Sequence, residues 1–293
     1  MNGEVLAFTG SRLDRADNVR NDPDQLAGMM NWRARLLKLD GLMPEMGDDG
    51  MLIWGTLADA PEDAELVFLG LDEGKPCFAA VPGEGDASPR MANPRLWSLM
   101  ATLRPDDLAI YGGARSITDW HARHRHCAAC GGATKIAKGG WQRTCSNCGT
   151  EHFPRTDPVT IMLVEHEGKL LLGRGLNWPE RAYSALAGFV EPGESIEEAV
   201  AREVLEESGI VVRDVNYIAS QPWPFPSQLM MGCHSHAEST EITLDESELA
   251  DARWFTRAEV QAAMDGDADA PINTPPKQAI AAHLLKWWLE KES

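Results

Sequence analysis

Clustered positive charge is what this sequence lacks most. Of 293 residues, 27 are Lys or Arg against 45 Asp or Glu, a formal net charge of -18. Nucleic-acid affinity comes largely from clustered Lys and Arg that displace counterions, so generic DNA binding is excluded as a first reading. No apolar run approaches the ~20 residues of a membrane span. The start, MNGEVLAFTGSRLDR, has no basic segment followed by an apolar one. These absences predict a cytoplasmic chain with no membrane partner. Cysteine is scarce as well, since six in the chain are too few for a disulfide scaffold. Hydrophobic residues at 43% and charged ones at 25% are nevertheless ordinary for a folded protein. The length suits two domains with room for a small third module.

The acid is concentrated late: residues 158–293 carry 10 basic and 23 acidic side chains. A charge run is by default a solvated face, so only carboxylates at a distinctive spacing are promoted to function. The first hundred residues read as mixed α/β without a chemical motif. Leu66–Leu71 and Phe78–Val81 are β-prone runs across a turn, which predicts a hairpin. A Gly- and Pro-rich surface loop is expected from Val81 to Arg90. Leu108, Ile117 and Trp120 have helical spacing between Asp106 and His124, and His121, His124 and His126 are expected to pack or face solvent there.

Cys127-Ala-Ala-Cys130 and Cys145-Ser-Asn-Cys148 stand 14 residues apart. Each C-x-x-C turn can aim two thiolates at one tetrahedral ion, and four thiolates leave no open position for a catalytic water. This predicts one structural Zn²⁺ per chain. The ribbon is only slightly basic, through Lys135, Lys138, Arg143 and Arg155, which argues against DNA reading. Cys77 and Cys233 stand alone and are expected to be buried or inert.

Thr160–Val164 and Lys169–Leu172 read as a second hairpin. A loop, Gly188-Phe-Val-Glu-Pro-Gly-Glu194, then leads into a helix of about 14 residues, with Ser195 and Glu198 as a capping box and Gly209 as its stop. Ile196, Ala199, Val200 and Val204 form its apolar stripe. Glu203, Glu206 and Glu207 are related as i, i+3 and i+4, so they crowd one face and repel unless a cation intervenes. Oxygen ligands suit Mg²⁺ or Mn²⁺, although Glu-x-x-Glu-Glu alone leaves a solvated acidic helix favoured.

The whole stretch Gly188-x5-Glu194-x7-Arg202-Glu203-Val204-x-Glu206-Glu207-x-Gly209-Ile210 matches the Nudix box, and the chain resembles the Nudix hydrolases. That resemblance implies that Glu203, Glu206 and Glu207 hold divalent metal, that Arg202 orients a glutamate, and that Glu194 supports the loop. Ten residues on, Ser220-Gln-Pro-Trp-Pro-Phe-Pro226-Ser227-Gln228 is similar to the array that marks the NADH pyrophosphatases, the NudC-type branch of the family. Its alternate prolines are expected to fix an extended chain from which Trp223 and Phe225 project for stacking. One departure is visible: the array's final Ser is expected at 228, where this chain has Gln228 after Ser227.

The resemblance implies a fold of α/β (α+β) class: an N-terminal mixed domain (1–122), a zinc ribbon (123–153) and a Nudix α/β/α sandwich (154–293). It further implies that Phe153 stacks on a base and that Gln221, Pro222, Trp223, Pro224, Phe225, Pro226, Ser227, Gln228 and Ala281 meet the substrate. Ala187, through its carbonyl, and Glu248 are implied as further metal ligands. Ile280, Leu284, Leu285 and Trp288 share one side of Lys277–Leu289, as core packing or a dimer seam. The implied activity is hydrolysis of NADH, and less well NAD⁺, to nicotinamide mononucleotide and AMP by a homodimer. The alternatives are removal of NAD caps from RNA and, in a different class, a ribbon binding module with an inactive Nudix domain.

Overall fold

A computed structural model of the chain describes residues 5–88 and 93–291. They divide into two compact units: residues up to Thr156 together with Pro222–Gln228, and Asp157–Gln221 together with the residues from Leu229 on. Residues 89 and 90, the end of the expected Val81–Arg90 loop, lie outside the described residues.

The first unit opens with two short helices, α1 (Asp17–Arg20) and α2 (Pro23–Met29). Strands β1 (Arg35–Leu37), β4 (Trp54–Gly55), β5 (Leu66–Asp72) and β6 (Lys75–Ala80) form one sheet in the order β4-β1-β6-β5, and β2 (Leu39–Asp40) pairs with β3 (Met43–Pro44). The β5–β6 hairpin turns on Glu73 and Gly74, both at positive φ, as a two-residue turn requires. Helices α3 (Pro94–Thr102) and α4 (Pro105–Arg123) follow, each with proline in its first turn.

The ribbon is a three-stranded sheet of β7 (Thr134–Ala137), β8 (Gln142–Cys145) and β9 (Glu151–His152). It falls within the first compact unit, and buried polar contacts hold it there. Arg143 on β8 is 1% exposed and donates to both oxygens of Glu65 at 2.9 and 3.0 Å. His121 is fully buried, its Nε2 lying 2.6 Å from Gly140 O. The Trp141 indole donates to Phe68 O.

The second unit is built on β10 (Asp157–His166), β11 (Lys169–Gly175), β12 (Leu186–Phe189), β13 (Val212–Trp223), β14 (Gln228–Ala237) and β15 (Leu249–Thr256). They form one sheet in the order β13-β14-β10-β11-β15, with β12 also paired to β10. Helix α5 (Ile196–Ser208) covers one face, while α6 (Arg257–Met264) and α7 (Ile280–Glu290) cover the other. Alternation along β10 makes this sandwich: Met162 and Val164 join the cluster of Val200 and Val204, and Ile161 and Leu163 join that of Leu284, Leu285 and Trp288. A strand apolar on both faces must be covered twice, so the run Thr160–Val164 dictates the layers. The apolar side of α7 is thus core, which removes the dimer-seam reading of Ile280, Leu284, Leu285 and Trp288.

Candidate active site

Helix α5 begins at the expected capping box, with Ser195 accepting from Glu198 N while the Glu198 carboxylate accepts from Ser195 N, and it stops at Gly209 in the left-handed region. Its apolar stripe is buried, with Ala199, Val200 and Val204 at 0% exposure. That seating leaves Glu203 and Glu207 at the edge of the buried zone and Glu206 in solvent.

Arg202 organises the carboxylates. Its guanidinium donates to Glu194 through Nε (2.6 Å) and Nη2 (2.9 Å), to Glu203 and Glu206 through Nη1 (2.8 and 3.0 Å), and to Phe189 O (2.9 Å). The Arg202 bonds, with Glu191 N donating as well, hold Glu194 down at about 2, so it stays ionised. Gly188 on β12 explains the glycine that opens the box. A Cβ there would sit 1.8 Å from Glu203 Cδ, so only glycine lets this carboxylate lie against the strand. Gly188→Ala is expected to swing Glu203 aside, cutting turnover by about a hundredfold while shifting stability by no more than ~1 kcal/mol. Steady-state kinetics and a thermal melt of the variant check this, and unchanged kinetics would refute the packing argument.

Glu207 is the most perturbed group. Burial first, then the charges of Glu203, Glu248, Asp245 and Glu206, push its carboxyl up to about 8. Burial also raises Glu203, against the opposing pull of Arg202. Among the described residues, Glu207 Oε2 has no hydrogen-bond partner. A buried, unpartnered carboxylate oxygen beside two or three like charges is what a divalent cation would satisfy, and the all-oxygen donor set fits a hard ion. Glu248, exposed on the approach to β15, reaches the cluster electrostatically, and Ala187 precedes Gly188 on β12.

The sign of the pH effect follows. A carboxyl raised in the folded state binds protons that the unfolded chain has released. Its contribution to stability is therefore full below about 4.5 and lost as pH rises through about 8. Metal-free protein is expected to melt progressively lower between those values, and saturating Mg²⁺ to flatten the trend. Melts across that range with and without Mg²⁺ check it, and a midpoint that rises through this window without metal would contradict it.

The four ribbon sulfurs converge within 4.8 Å of one another, with Cys127 Sγ 3.7 Å from Cys148 Sγ and Cys130 Sγ 3.5 Å from Cys145 Sγ. A tetrahedral Zn²⁺ with bonds of ~2.3 Å spaces its sulfurs about 3.8 Å apart, so the four residues fit that ion. Backbone N–H groups of Ala129, Asn147 and Cys148 point at sulfurs, the arrangement that stabilises thiolates. Hydrogen bonds from Thr150 and neighbouring cysteines lower the Cys148 thiol to about 6. Cys77 and Cys233 are fully buried, and burial raises both thiols to about 11, so they are inert.

The aromatic array departs from expectation. Pro224–Ser227 is a turn between β13 and β14 rather than an extended chain, and Phe225 is buried at 1% exposure in the core of the first unit. Trp223 packs between Phe8 and Trp97 with ring centroids 5.8 Å from each. The expected outward projection of Trp223 and Phe225 is thereby corrected: alternate prolines leave the aromatics free only if nothing packs on them, and α4 does. Its Arg115, itself buried, donates to Pro224 O and stacks 5.0 Å over Phe225. Ser227 donates to Arg155 O, Gln228 and Pro226 are half-buried, and Pro222 is exposed.

Gln221 and Ala281 need the same correction. In the second unit, Gln221 is 1% exposed, donating its amide to Gln278 O and accepting from Ile280 N, so it fastens the start of α7. The Ala281 side chain lies in the core beside it. Phe153, by contrast, is exposed and able to stack.

Three family descriptions match consecutive stretches: an NADH pyrophosphatase-like rudimentary NUDIX domain (33–120), an NADH pyrophosphatase zinc ribbon domain (122–153) and a NUDIX domain (154–274). The chain is 40% identical to "NAD-capped RNA hydrolase NudC" of Mycobacterium bovis, over 94% of this chain and 92% of that protein. The chain belongs to the Nudix hydrolase family. Within it, the ribbon and the rudimentary domain put it in the NADH pyrophosphatase branch. "NAD-capped RNA hydrolase NUDT12" of Homo sapiens is 40% identical over 87% of this chain and 54% of that protein, and the Macaca fascicularis protein is 38% identical with 55% of its length covered. The chain thus spans about half the length of the first curated relatives it matches.

In this Nudix hydrolase, sequence reasoning missed Arg115 and the triad Glu165, His234 and His236. Arg115 carried no signal, being one more polar residue of a helix. The triad left a faint one: His-x-His in a strand puts both rings on one face.

Proposed function

We propose that this chain hydrolyses the pyrophosphate of NADH, and less well of NAD⁺, to nicotinamide mononucleotide and AMP. The observation that carries the reading is the unpartnered, buried Glu207 oxygen set among Glu203, Glu206 and Glu248 on the helix that Arg202 organises. Glu203, Glu206, Glu207, Glu248 and the Ala187 carbonyl would hold Mg²⁺ or Mn²⁺. When bound, such an ion would neutralise pyrophosphate charge and lower the pKa of an attacking water. The residues themselves do the rest. Arg202 keeps Glu203 aimed and ties the helix to the Glu194 loop. Phe153 offers an exposed ring to a base, while Ser227 and Gln228 stand at the position where the branch has its polar residue.

Removal of NAD caps from RNA cleaves the same bond, and the names of the relatives favour it as a second activity. The intact box argues against an inactive Nudix domain serving only as a binding module. The reading includes a homodimer in the cytoplasm, carried over from the branch. Among the described residues no helix is long and apolar enough to cross a membrane.

Purified protein with Mg²⁺ or Mn²⁺ is expected to release AMP from NADH. No AMP from NADH, NAD⁺ or NAD-capped RNA would defeat the proposal, and competition between NADH and capped RNA ranks the substrates. A monomeric mass in solution would remove the dimer.

A further inference from the structure

Glu165 on β10 and His234 and His236 on β14 bring one carboxylate oxygen and two imidazole nitrogens within 4.8 Å of one another. The strands are neighbours in the sheet. His234 is 3% exposed on its side chain and Glu165 16%, and His236 is half-buried. A buried His–Glu hydrogen bond needs no metal, and His234 Nε2 does lie 2.7 Å from Glu165 Oε2. His236 is what exceeds that explanation. Its ring meets the His234 ring edge-on at 4.8 Å, and it has no hydrogen-bond partner among the described residues.

This cluster is separate from the box. Along β10 the odd residues Ile161 and Leu163 face α7, and Glu165 continues that parity. Along β14, Cys233 and Ala237 belong to the α5 side, whereas a Cβ on Gly232 would meet Leu284 of α7 at 2.7 Å. His234 and His236 share the parity of Gly232, and the His234 ring lies 5.4 Å from Trp287 of α7. The sheet therefore stands between these donors and Glu203, Glu206 and Glu207.

We propose that Glu165, His234 and His236 form a further metal site, taking a divalent transition ion of the zinc class and clipping β10 to β14 beneath the end of α7. Two imidazoles and one carboxylate suit Zn²⁺, Co²⁺ or Fe²⁺ and not the hard Mg²⁺ that suits the box. Bonds of about 2.0–2.2 Å hold tetrahedral ligand atoms roughly 3.4 Å apart, so the His234–Glu165 pair opens by about 0.7 Å and the third donor closes in. The opposing cation is Lys291, whose charge reaches Glu165 and His234 and whose ammonium lies 5.5 Å over Trp287. Lys291 is exposed, and water screens its field at the rim.

Co²⁺ is the probe. Tag-free protein with its ribbon zinc retained and Mg²⁺ saturating is titrated with Co²⁺ and followed by visible absorption and thermal melting. One equivalent is expected, with the d–d band of nitrogen and oxygen ligation, no thiolate charge-transfer band, and a raised melting midpoint. His236→Ala and Glu165→Gln should each weaken binding by more than about a hundredfold, since even supporting contacts to a metal ligand are worth 10–100-fold. Lys291→Gln should tighten it a few-fold, and Glu207→Gln should leave it unchanged. No Co²⁺ signal, or one that survives both His236→Ala and Glu165→Gln, overturns the site. A signal lost in Glu207→Gln assigns the ion to the box and overturns it equally. The absorption readout does not depend on NADH turnover, so failure of this site and failure of the proposed activity are distinguishable.

Discussion

Glu207→Gln is expected to lower NADH hydrolysis by at least about a thousandfold while raising the stability of the metal-free protein. Both effects have one cause. Glu207 sits in the driest part of the box helix among four other carboxylates, where its charge is disfavoured enough to lift its carboxyl to about 8. The amide keeps the shape and removes the charge. Metal-free protein near pH 8 is thereby relieved of like-charge repulsion, and its melting midpoint rises. The same change removes the buried anionic oxygen that most needs a cation. Loss of a group that stabilises charge in the transition state costs about 10²–10³ for a neutral donor and more for a metal ligand. Initial rates with Mg²⁺, metal-free melts and zinc content together decide the matter. Full activity would refute the metal role of Glu207. A variant that loses both activity and stability would show that Glu207 supports the fold instead.

Removing the ribbon's zinc is expected to have the larger effect on stability. Cys145→Ser should release the ion and destabilise the first unit by on the order of 5–10 kcal/mol, given that structural zinc supplies about 10–16 kcal/mol in small peptides. The damage should spread beyond the ribbon because β8 carries Arg143 into the buried pair with Glu65, and Gly140 is held by His121. Metal analysis, hydrogen exchange at β5 and β8, and a thermal melt read this out. Wild-type protein without tightly held zinc would defeat the ribbon assignment. A variant whose protection is lost only at β7–β9 would show that Arg143 and His121 suffice to hold the rest of the unit.

The parts legible in the sequence are those whose physics is local. Capping residues define α5 at both ends, the C-x-x-C turns bring thiolates together from either side of a hairpin, and Glu203, Glu206 and Glu207 share a face by helical geometry alone. Both hairpins are legible because β-prone runs flank a short Gly-containing connection. The proline array misled for a complementary reason. Proline fixes its own φ but says nothing about what packs on the residues between, and Arg115 lies over a hundred positions upstream of Phe225. The resemblance implies a substrate contact at Gln221, whereas its amide satisfies the backbone at the start of α7.

By itself, then, the sequence determined the box helix, the shared face of its three glutamates and the thiolate set with the ion that suits it, since these follow from periodicity, capping and spacing within short stretches; the layers of the second unit and the cation at the box came from the resemblance to the Nudix hydrolases. Only the tertiary structure decided which glutamate is driest, that Gly188 is there to admit Glu203, that the ribbon shares a unit with the domain before it, and that Phe225 is core. It also decided that Glu165 meets two histidines about seventy residues away. Burial and long-range proximity set these outcomes, and neither is encoded in the spacing of residues along the chain.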